Sequence, residues 1–330
     1  MIYVILAIGV ITAYVTGMHD GGTIAATSIT SRITPPKHAL RLSGIANFLG
    51  AILLGTAVAQ TISTGLVDAD PVLSSGTLTG SFYVLSAFLG SLVWNLFTWK
   101  VRLPSSASHS LIGAMVGAAL ILAGPDIVHW NAVLIKVVLA MVLSPVLGSI
   151  AGFLLFRLEQ RILRNATIVW AKRVNSLDIF SMLLLSLSHG SNDAQKVTGL
   201  LALALALGSG RLEYPLWLTI LIGAALALGT VTGGYNMIRT VGLEITKPDP
   251  DNAAVSELSS TLVVLISSLA GIPISSTQVI TGSILGAGSG RSPRTVNWPV
   301  TKSILISWVL TLPASAACGA LAMKLLTLAF

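Results

Sequence analysis

Apolar runs follow one another along nearly the whole chain, and short polar stretches separate them. The runs are about 20 residues long, the length that an α-helix needs to cross the hydrocarbon core of a bilayer. We therefore predict ten apolar helices and an all-α, polytopic membrane protein. The predicted segments are 1–31, 40–59, 77–98, 104–123, 131–156, 177–207, 215–238, 256–271, 273–289 and 301–329.

The composition agrees with this fold class. Hydrophobic residues make up 54% of the chain and charged residues 9%, and the mean hydropathy is +0.86. Soluble domains carry about 25% charged residues, so this chain has too few to cover a water-facing surface. A secreted enzyme, a nucleic-acid-binding protein and a disordered scaffold are thereby excluded. The start of the chain has no basic region and no small-residue cleavage site, so we expect the first segment to be retained.

The positive charges predict the orientation of the chain in the membrane. The net charge is +7. The basic residues between the segments form short clusters in alternate loops, and the only basic residue in the remaining loops is Arg211. Basic loops face the cytoplasm, so we expect a cell-membrane protein with its N-terminus outside. The longest basic loop is 157–176, and charges in this pattern indicate orientation rather than a nucleic-acid partner.

Two motifs occur twice. Pro-Ser-Ser-Ala-Ser-His at 104–109 corresponds to Pro-Ile-Ser-Ser-Thr-Gln at 273–278, and each is followed by two glycines at the same spacing. Gly-Met-His-Asp at 17–20 corresponds to Gly-Ser-Asn-Asp at 190–193. The two copies of each motif are separated by a similar number of residues. This similar separation predicts an internal repeat with five segments in each half.

An odd number of segments per half requires the second half to enter the membrane from the opposite side. We therefore predict an inverted repeat, the architecture of many secondary transporters. The N-terminal repeat is 1–156, a cytoplasmic basic linker is 157–176, and the C-terminal repeat is 177–330. The two Pro-Ser-rich turns, whose helices could begin as re-entrant hairpins, should then approach each other from opposite faces and meet near the midplane.

The Pro-Ser-rich turns predict anion binding. Proline suits the first turn of a helix, and the free N–H groups, hydroxyls and dipole at such an end attract oxyanions. Ordinary helix caps with small residues for close packing are the alternative interpretation. The candidate substrate-binding hydroxyls belong to Ser105, Ser106, Ser108, Ser275, Ser276 and Thr277.

Asp20 and Asp193 lie well inside apolar segments, next to residues that can interrupt a helix. A carboxylate at such a position costs about 2.5–3.5 kcal/mol or more, so its default interpretation is functional. A structural ion pair is the alternative, since Lys196 lies on the same helix face as Asp193. A phosphate near two carboxylates would be repelled unless cations or protons enter with it, and Lys196 supplies one fixed positive charge.

Histidines adjoin each of these motifs, at His19, His109 and His189. An unperturbed histidine titrates near pH 6.5, so these side chains could carry protons. A neutral histidine that only holds the backbone in place is the alternative interpretation.

The motifs resemble those of the PiT family of inorganic phosphate transporters. The resemblance rests on 17–20, 93–99, 103–117, 188–196 and 273–286, which occur in both halves and in the expected order. It covers essentially the whole chain, and Ser-His-Gly-x-Asn-Asp at 188–193 is highly specific. The resemblance implies secondary transport of phosphate with a cation, through a site built from both repeats.

By the same resemblance, functional positions fall on Asp20, Asn192, Asp193 and the hydroxyls of the two turns. Many family members have Asn three residues after each motif Asp, where this chain has Thr23 and Lys196. Two amides that could help to hold sodium are thus missing, and Lys196 is shared with a bacterial branch that resembles proton-coupled carriers. The second turn also ends in Gln278, where His is common.

We therefore predict a phosphate:cation symporter that works by alternating access, with Asp20, Asp193, His19 and Thr23 in cation or proton coupling and Asn192 and Lys196 at the anion. A proton is favoured, and sodium near Asp20 and Asp193 is the alternative. No cofactor is expected beyond the co-transported H⁺ or Na⁺. The expected partners are inorganic phosphate and membrane lipid, and a homo-oligomer is compatible with the sequence.

Three other functions share some of these sequence features. A permease for sulfate or another tetrahedral oxyanion would have the same architecture. A channel can also use helix ends and polar rings, although buried aspartates beside an anion site favour a carrier. An intramembrane hydrolase is remote, because no Gly-x-Ser-x-Gly motif surrounds any of the serines.

Overall fold

The computed structural model describes residues 1–165, 168–233, 235–246 and 250–329, without the side chains of residues 168–175 and 235–236. These residues form α-helices joined by short turns, and the described part of the chain contains no β-strand beyond two isolated bridges. The helices are α1 (Ile2–Ile24), α2 (Ala26–Thr30), α3 (Pro36–Leu53), α4 (Ala57–Gly65), α5 (Ala69–Ser74), α6 (Thr77–Lys100), α7 (Ala107–Ala123), α8 (Trp130–Asn165), α9 (Ile168–Ser209), α10 (Leu216–Gly233), α11 (Tyr235–Arg239, continued as a π-helix over Thr240–Glu244), α12 (Pro250–Leu269), α13 (Ser276–Arg291) and α14 (Trp298–Ala329).

The predicted all-α membrane fold is confirmed, because every predicted apolar segment falls on a helix or a pair of helices. In the described chain, six helices are long and apolar enough to cross a membrane: α1, α6, α8, α10, α12 and α14. The pair α3 and α4 passes the same test together but is bent by 70°. α7 and α13, which follow the two Pro-Ser-rich turns, are shorter, at 17 and 16 residues.

Two predicted segments are interrupted. Segment 1–31 breaks at Ala25, one turn after the consecutive glycines Gly21 and Gly22, which have low helix propensity. Segment 40–59 breaks between α3 and α4, where Gly55 has a φ of +82°. A left-handed residue ends an α-helix, and glycine adopts this conformation without a steric penalty.

The predicted basic linker 157–176 is helical wherever the structure describes it, apart from a single 3₁₀ turn at Leu163–Asn165. This stretch contains neither glycine nor proline, so its charges do not interrupt a helix. α9 contains 42 residues. At 1.5 Å per residue it is roughly 63 Å long, about twice the hydrocarbon core of a bilayer. One end of α9 therefore extends beyond the membrane.

Local structure repeats between the two halves. Ser106 caps α7 by accepting a hydrogen bond from the backbone N–H of His109, and Ser275 caps α13 by accepting one from Gln278. The indole of Trp130 donates to the carbonyl of Pro125, and the indole of Trp298 donates to that of Pro293. These equivalent contacts support the internal repeat. Its boundaries and the opposite orientation of its halves stay predictions.

The helices of the two halves are interleaved. α1 packs mainly on α10, and α9 packs on α3; α7 packs on α14, and α13 packs on α8. Each half thus completes its packing with helices from the other half. The aspartate motifs lie at two of these contacts, on α1 and α9.

Glycines permit the close helix contacts at both motifs. A Cβ atom added to Gly17 would lie 2.0 Å from the carbonyl oxygen of Leu226 on α10, and one added to Gly190 would lie 2.0 Å from that of Asn47 on α3. The sequence suggested that residues around Asp20 and Asp193 could interrupt their helices. Both helices instead run through the motifs unbroken, and the glycines serve close packing.

Candidate functional site

Asp20 of α1 and Asp193 of α9 lie together in the interior of the protein. Each residue is 2% exposed. One ligand atom from each carboxylate and one ring nitrogen of His189 lie within 4.8 Å of one another. The two corresponding motifs of the sequence therefore contribute to a single site.

The carboxylate of Asp20 is held by an imidazole and a hydroxyl. Oδ1 lies 2.9 Å from Nδ1 of His19 and accepts a hydrogen bond of 2.9 Å from the hydroxyl of Thr277, in the second Pro-Ser-rich turn. On the other side of the ring, Nε2 of His19 lies 3.3 Å from the hydroxyl of Ser105, which is 2.8 Å from that of Thr98. A continuous row of hydrogen-bonding groups thus leads from Asp20 to the first turn.

The carboxylate of Asp193 has an additional, fully charged partner. Oδ2 lies 3.0 Å from Nδ1 of His189 and 3.2 Å from the hydroxyl of Ser276. Oδ1 accepts a hydrogen bond from the ammonium of Lys196, and the hydroxyl of Ser108 lies 3.5 Å away. Asp193 therefore belongs to a buried ion pair, and Asp20 has no Lys or Arg within salt-bridge distance in the described part of the chain.

Lys196 joins the two Pro-Ser-rich turns. Its ammonium also donates to the hydroxyl of Ser108 in the first turn and, at 2.9 Å, to the carbonyl oxygen of Ile274 in the second. Ser108 itself donates to the same carbonyl over 3.0 Å. The turns are therefore in direct contact, with the ammonium between them and Asp193.

The six candidate hydroxyls have different hydrogen-bond partners. Ser106 and Ser275 act as helix caps, so their oxygens already accept backbone hydrogen bonds. Ser105 contacts His19, whereas the other three contact the aspartates. Ser108 and Ser276 lie beside Asp193, and Thr277 lies beside Asp20. The first turn thus contacts the aspartate of the second half, and Thr277 of the second turn contacts that of the first.

Several buried polar atoms at the motifs have no hydrogen-bond partner among the described residues. They are both side-chain polar atoms of Asn192, His109 and Gln278, together with Oγ1 of Thr23 and Nε2 of His189. All five residues are 0% exposed. A buried polar group without a partner costs about 1–3 kcal/mol, so these atoms are candidate ligands for an ion or for water.

A small cavity adjoins Lys196. Its volume is about 10 Å³, and its polar lining comes from Thr12, Thr16, Ser91, Ser108, Asp193 and Lys196. That is roughly the space for one water molecule. A tetrahedral oxyanion is larger, so it requires the surrounding helices to separate before it can enter here.

A second group of buried acids, which was not predicted from the sequence, lies outside this site. Glu257 of α12 accepts hydrogen bonds from Thr27 (2.7 Å) and Ser181 (2.7 Å). The hydroxyl oxygen of Ser28 lies 2.9 Å from Glu257 and 2.5 Å from Asp178 of α9, and its single proton can be donated to only one of them at a time. Both carboxylates lie at the very start of predicted apolar segments, and that position was the available signal. The hydroxyl donors tie α2, α9 and α12 together.

A buried site of carboxylates, an ammonium and hydroxyls, enclosed by the helices of a polytopic membrane protein, defines a membrane transporter for a small ion. The particular family follows from the sequence match. Residues 16–319 match the Phosphate transporter family, and the chain belongs to that family.

Relatives and a solved structure agree with this assignment. The chain is 36% identical over 321 residues to a probable low-affinity inorganic phosphate transporter of Bacillus subtilis (strain 168), covering 96% of this chain and 94% of the relative. It is 38% identical over 328 residues to one of Mycobacterium tuberculosis (strain ATCC 25618 / H37Rv), covering 96% and 76%. The solved structure described as the sodium-dependent phosphate transporter matches with a TM-score of 0.90 and 26% identity, covering 100% of this chain and 99% of that one.

These matches confirm the resemblance to the PiT family and the prediction of a transporter rather than an enzyme. The individual roles of the site residues and the identity of the coupling ion stay predictions.

Proposed function

We propose that this protein carries inorganic phosphate across the cell membrane together with a cation, as a secondary active transporter that works by alternating access. The observation that carries the proposal is the meeting of Asp20, Asp193 and Lys196 with both Pro-Ser-rich turns at one buried site. The relatives and the solved neighbour, whose names describe phosphate transporters, support the choice of anion.

The anion would bind where the two helix starts meet. α7 and α13 begin at this point, and backbone N–H groups at the start of a helix favour negative charge. Ser108, Ser276 and Thr277 supply hydroxyls, and the buried amide of Asn192 has no hydrogen-bond partner among the residues that the structure describes. These groups can replace much of the hydration shell of a phosphate.

The charges at the site require a positive partner for the anion. Inorganic phosphate carries between one and two negative charges at neutral pH, because its second pKa lies near neutrality. Lys196 pairs with Asp193, so the negative charge of Asp20 is the one that opposes the anion. In a site with little water, repulsion between Asp20 and the anion would be several times stronger than in bulk solvent. A cation or proton that enters with the anion removes this repulsion.

We favour a proton as the coupling ion. The row of hydrogen-bonding groups from Asp20 through His19 to Ser105 and Thr98 can hold or move a proton. Sodium is the alternative, since Asp20, Thr277 and Thr23 offer three oxygen atoms and the solved neighbour is described as sodium-dependent.

Alternating access follows from the small cavity and the proposed inverted repeat. The cavity of about 10 Å³ must open to admit a phosphate, and two equivalent turns facing opposite sides of the membrane would let the site open to either side. In this arrangement the N-terminus lies outside and the basic stretch 157–176 faces the cytoplasm.

Reconstitution into liposomes tests the proposal. Labelled phosphate should accumulate in sodium-free buffer when an inward proton gradient is imposed, and collapse of the gradient should release it. Excess sulfate should compete weakly, because monohydrogen phosphate can donate a hydrogen bond to a carboxylate and sulfate cannot. Asp20→Asn should lose gradient-driven accumulation, whereas the matched change Asp126→Asn at an exposed turn should keep it. Sodium-dependent accumulation without any proton response would replace the proton by sodium, and accumulation without any cation response would refute symport.

A further inference from the structure

The two aspartates lie at corresponding corners of the site, but the residue three positions after the aspartate is charged at only one of the two corners. The Lys196 corner consists of Asp193, Lys196, Ser108 and the carbonyl of Ile274. The Asp20 corner consists of Asp20, Thr277 and Thr23, which follows Asp20 at the same spacing as Lys196 follows Asp193. Under the repeat, Ser108 corresponds to Thr277, and each hydroxyl lies beside the aspartate of the other half.

At the Lys196 corner the ammonium is surrounded by oxygen atoms. Its partners are a carboxylate oxygen of Asp193, the hydroxyl of Ser108 and the carbonyl oxygen of Ile274. Carboxylate, hydroxyl and carbonyl oxygens are also the ligands that hold small hard cations at transporter sites. The ammonium of lysine is a compact point charge that fits such a position.

At the Asp20 corner the equivalent position carries no positive charge from the chain. Thr23 is fully buried, and its hydroxyl has no hydrogen-bond partner in the part of the chain that the structure describes. Asp20 is contacted by His19 and Thr277 only through Oδ1 among the described contacts. This corner can therefore receive a cation, whereas the other already contains one.

We propose that the ammonium of Lys196 is a tethered cation that permanently takes the place of one transported cation. The carrier then moves one cation fewer with each phosphate than a carrier with two open corners, and its single coupling cation enters at the Asp20 corner. The inference rests on the proposed symport and specifies its stoichiometry.

The charge balance gives the physical reason. Lys196 neutralises Asp193 in every conformation of the transport cycle in which the pair persists, and it does so without leaving the protein. Without this ammonium, Asp193 would be a buried carboxylate with only hydroxyl and imidazole partners, as Asp20 is. A buried charge in that state attracts a cation from solution.

The test replaces Lys196 and measures the number of cations that move with each phosphate. In proteoliposomes, the imposed cation gradient that stops net flow of labelled phosphate gives this ratio. We expect Lys196→Asn to raise the cation-to-phosphate ratio by one and to introduce a sodium requirement that the wild type lacks. An unchanged ratio in Lys196→Asn would overturn the inference.

Three further variants separate the charge from other effects. Lys196→Arg keeps the positive charge and should keep the wild-type ratio. Lys324→Asn removes the same charge from an exposed position on α14 and should also leave it unchanged. The double variant Asp193→Asn/Lys196→Asn removes both charges of the pair, so it should need no additional cation. A raised ratio in any of these three would overturn the inference. If Lys196→Asn does not fold, Lys196→Gln removes the same charge and should likewise raise the ratio by one, and an unchanged ratio in Lys196→Gln would then overturn the inference.

A measurement without transport gives an independent readout. In detergent, sodium should raise the Tm of Lys196→Asn more than that of the wild type or of Lys324→Asn, because the vacated position binds the ion. Equal shifts would contradict the inference. Failure of the proposed symport gives a different result from failure of this inference. If symport fails, phosphate flow through the wild-type protein itself does not respond to any cation gradient.

Discussion

The Asp20 and Lys196 corners each contain a buried aspartate and a hydroxyl from the turn of the other half, but their aspartates have different charged partners. Asp193 is held by an ammonium that also bridges the two Pro-Ser-rich turns, whereas Asp20 is held by an imidazole and a hydroxyl. The first arrangement fixes the turns, and the second leaves a carboxylate whose charge can be changed by a proton or a cation. The two halves thus contribute a lysine-paired aspartate and an aspartate without a lysine partner among the described residues to the same site.

The largest effect should come from Asp193→Asn. This change leaves the ammonium of Lys196 buried at 2% exposure without its carboxylate. Loss of one partner from a buried ion pair costs about 3–5 kcal/mol, so we expect a clear drop in Tm and no phosphate uptake. Thermal unfolding and uptake of labelled phosphate check both effects. The same substitution at the exposed Asp126 is the control, and equal behaviour of the two variants would contradict the account.

Asp20→Asn should separate coupling from stability. The partners of Asp20 are an imidazole and a hydroxyl rather than a lysine or an arginine, so the substitution leaves no ammonium or guanidinium unpaired. We expect a smaller drop in Tm than for Asp193→Asn, with phosphate exchange retained and gradient-driven accumulation lost. Exchange and net uptake, measured on the same proteoliposomes, check this. A drop in Tm as large as that of Asp193→Asn would mean that the corners do not differ as described.

The close helix contacts at the two motifs should be sensitive to a single methyl group. Gly190→Ala places a Cβ 2.0 Å from the backbone of α3, and overpacking of this kind costs roughly 1–3 kcal/mol. Gly208→Ala on the same helix has nothing within 4 Å of the added atom and should be stabilising by up to about 1 kcal/mol. Thermal unfolding of the two variants checks the difference, and equal Tm values would contradict the packing.

The smallest effects should come from the helix caps. Ser106→Ala and Ser275→Ala each remove one capping hydrogen bond, which is worth about 1 kcal/mol. We expect similar small drops in Tm for the two variants, and Ser106→Thr should restore most of the loss. If the alanine variants abolish phosphate binding without any change in Tm, the two hydroxyls contact the anion rather than act as caps.

Much of this molecule could be predicted from its sequence because hydrophobic length and repeated motifs are strong signals. Ten apolar segments, the pairing of Asp20 with Asp193 and the contact between the Pro-Ser-rich turns follow from runs, spacing and the requirement that an odd repeat inverts. The proximity of the aspartates and of the turns is then seen directly in the structure.

Other features depend on tertiary contacts that leave little trace in the sequence. A glycine in these motifs is compatible with either a broken helix or close helix packing. The structure shows close packing, because the carbonyls of Leu226 and Asn47 leave no space for a side chain at Gly17 and Gly190. The basic stretch 157–176 resembles a loop by charge but contains no helix breaker. Asp178 and Glu257 lie near the ends of their segments, where an acid is usually solvated, and their shared hydroxyl partner, Ser28, could not be identified from spacing.

The central claim is that phosphate occupies this site only together with a cation that neutralises Asp20. The most direct test is the ratio of internal to external phosphate at equilibrium in sodium-free proteoliposomes, measured over a series of imposed pH gradients with the membrane potential held at zero. The account predicts that the wild-type ratio rises with the gradient and exceeds that of Asp20→Asn at every non-zero gradient. Identical ratios for the two proteins at every gradient would contradict it.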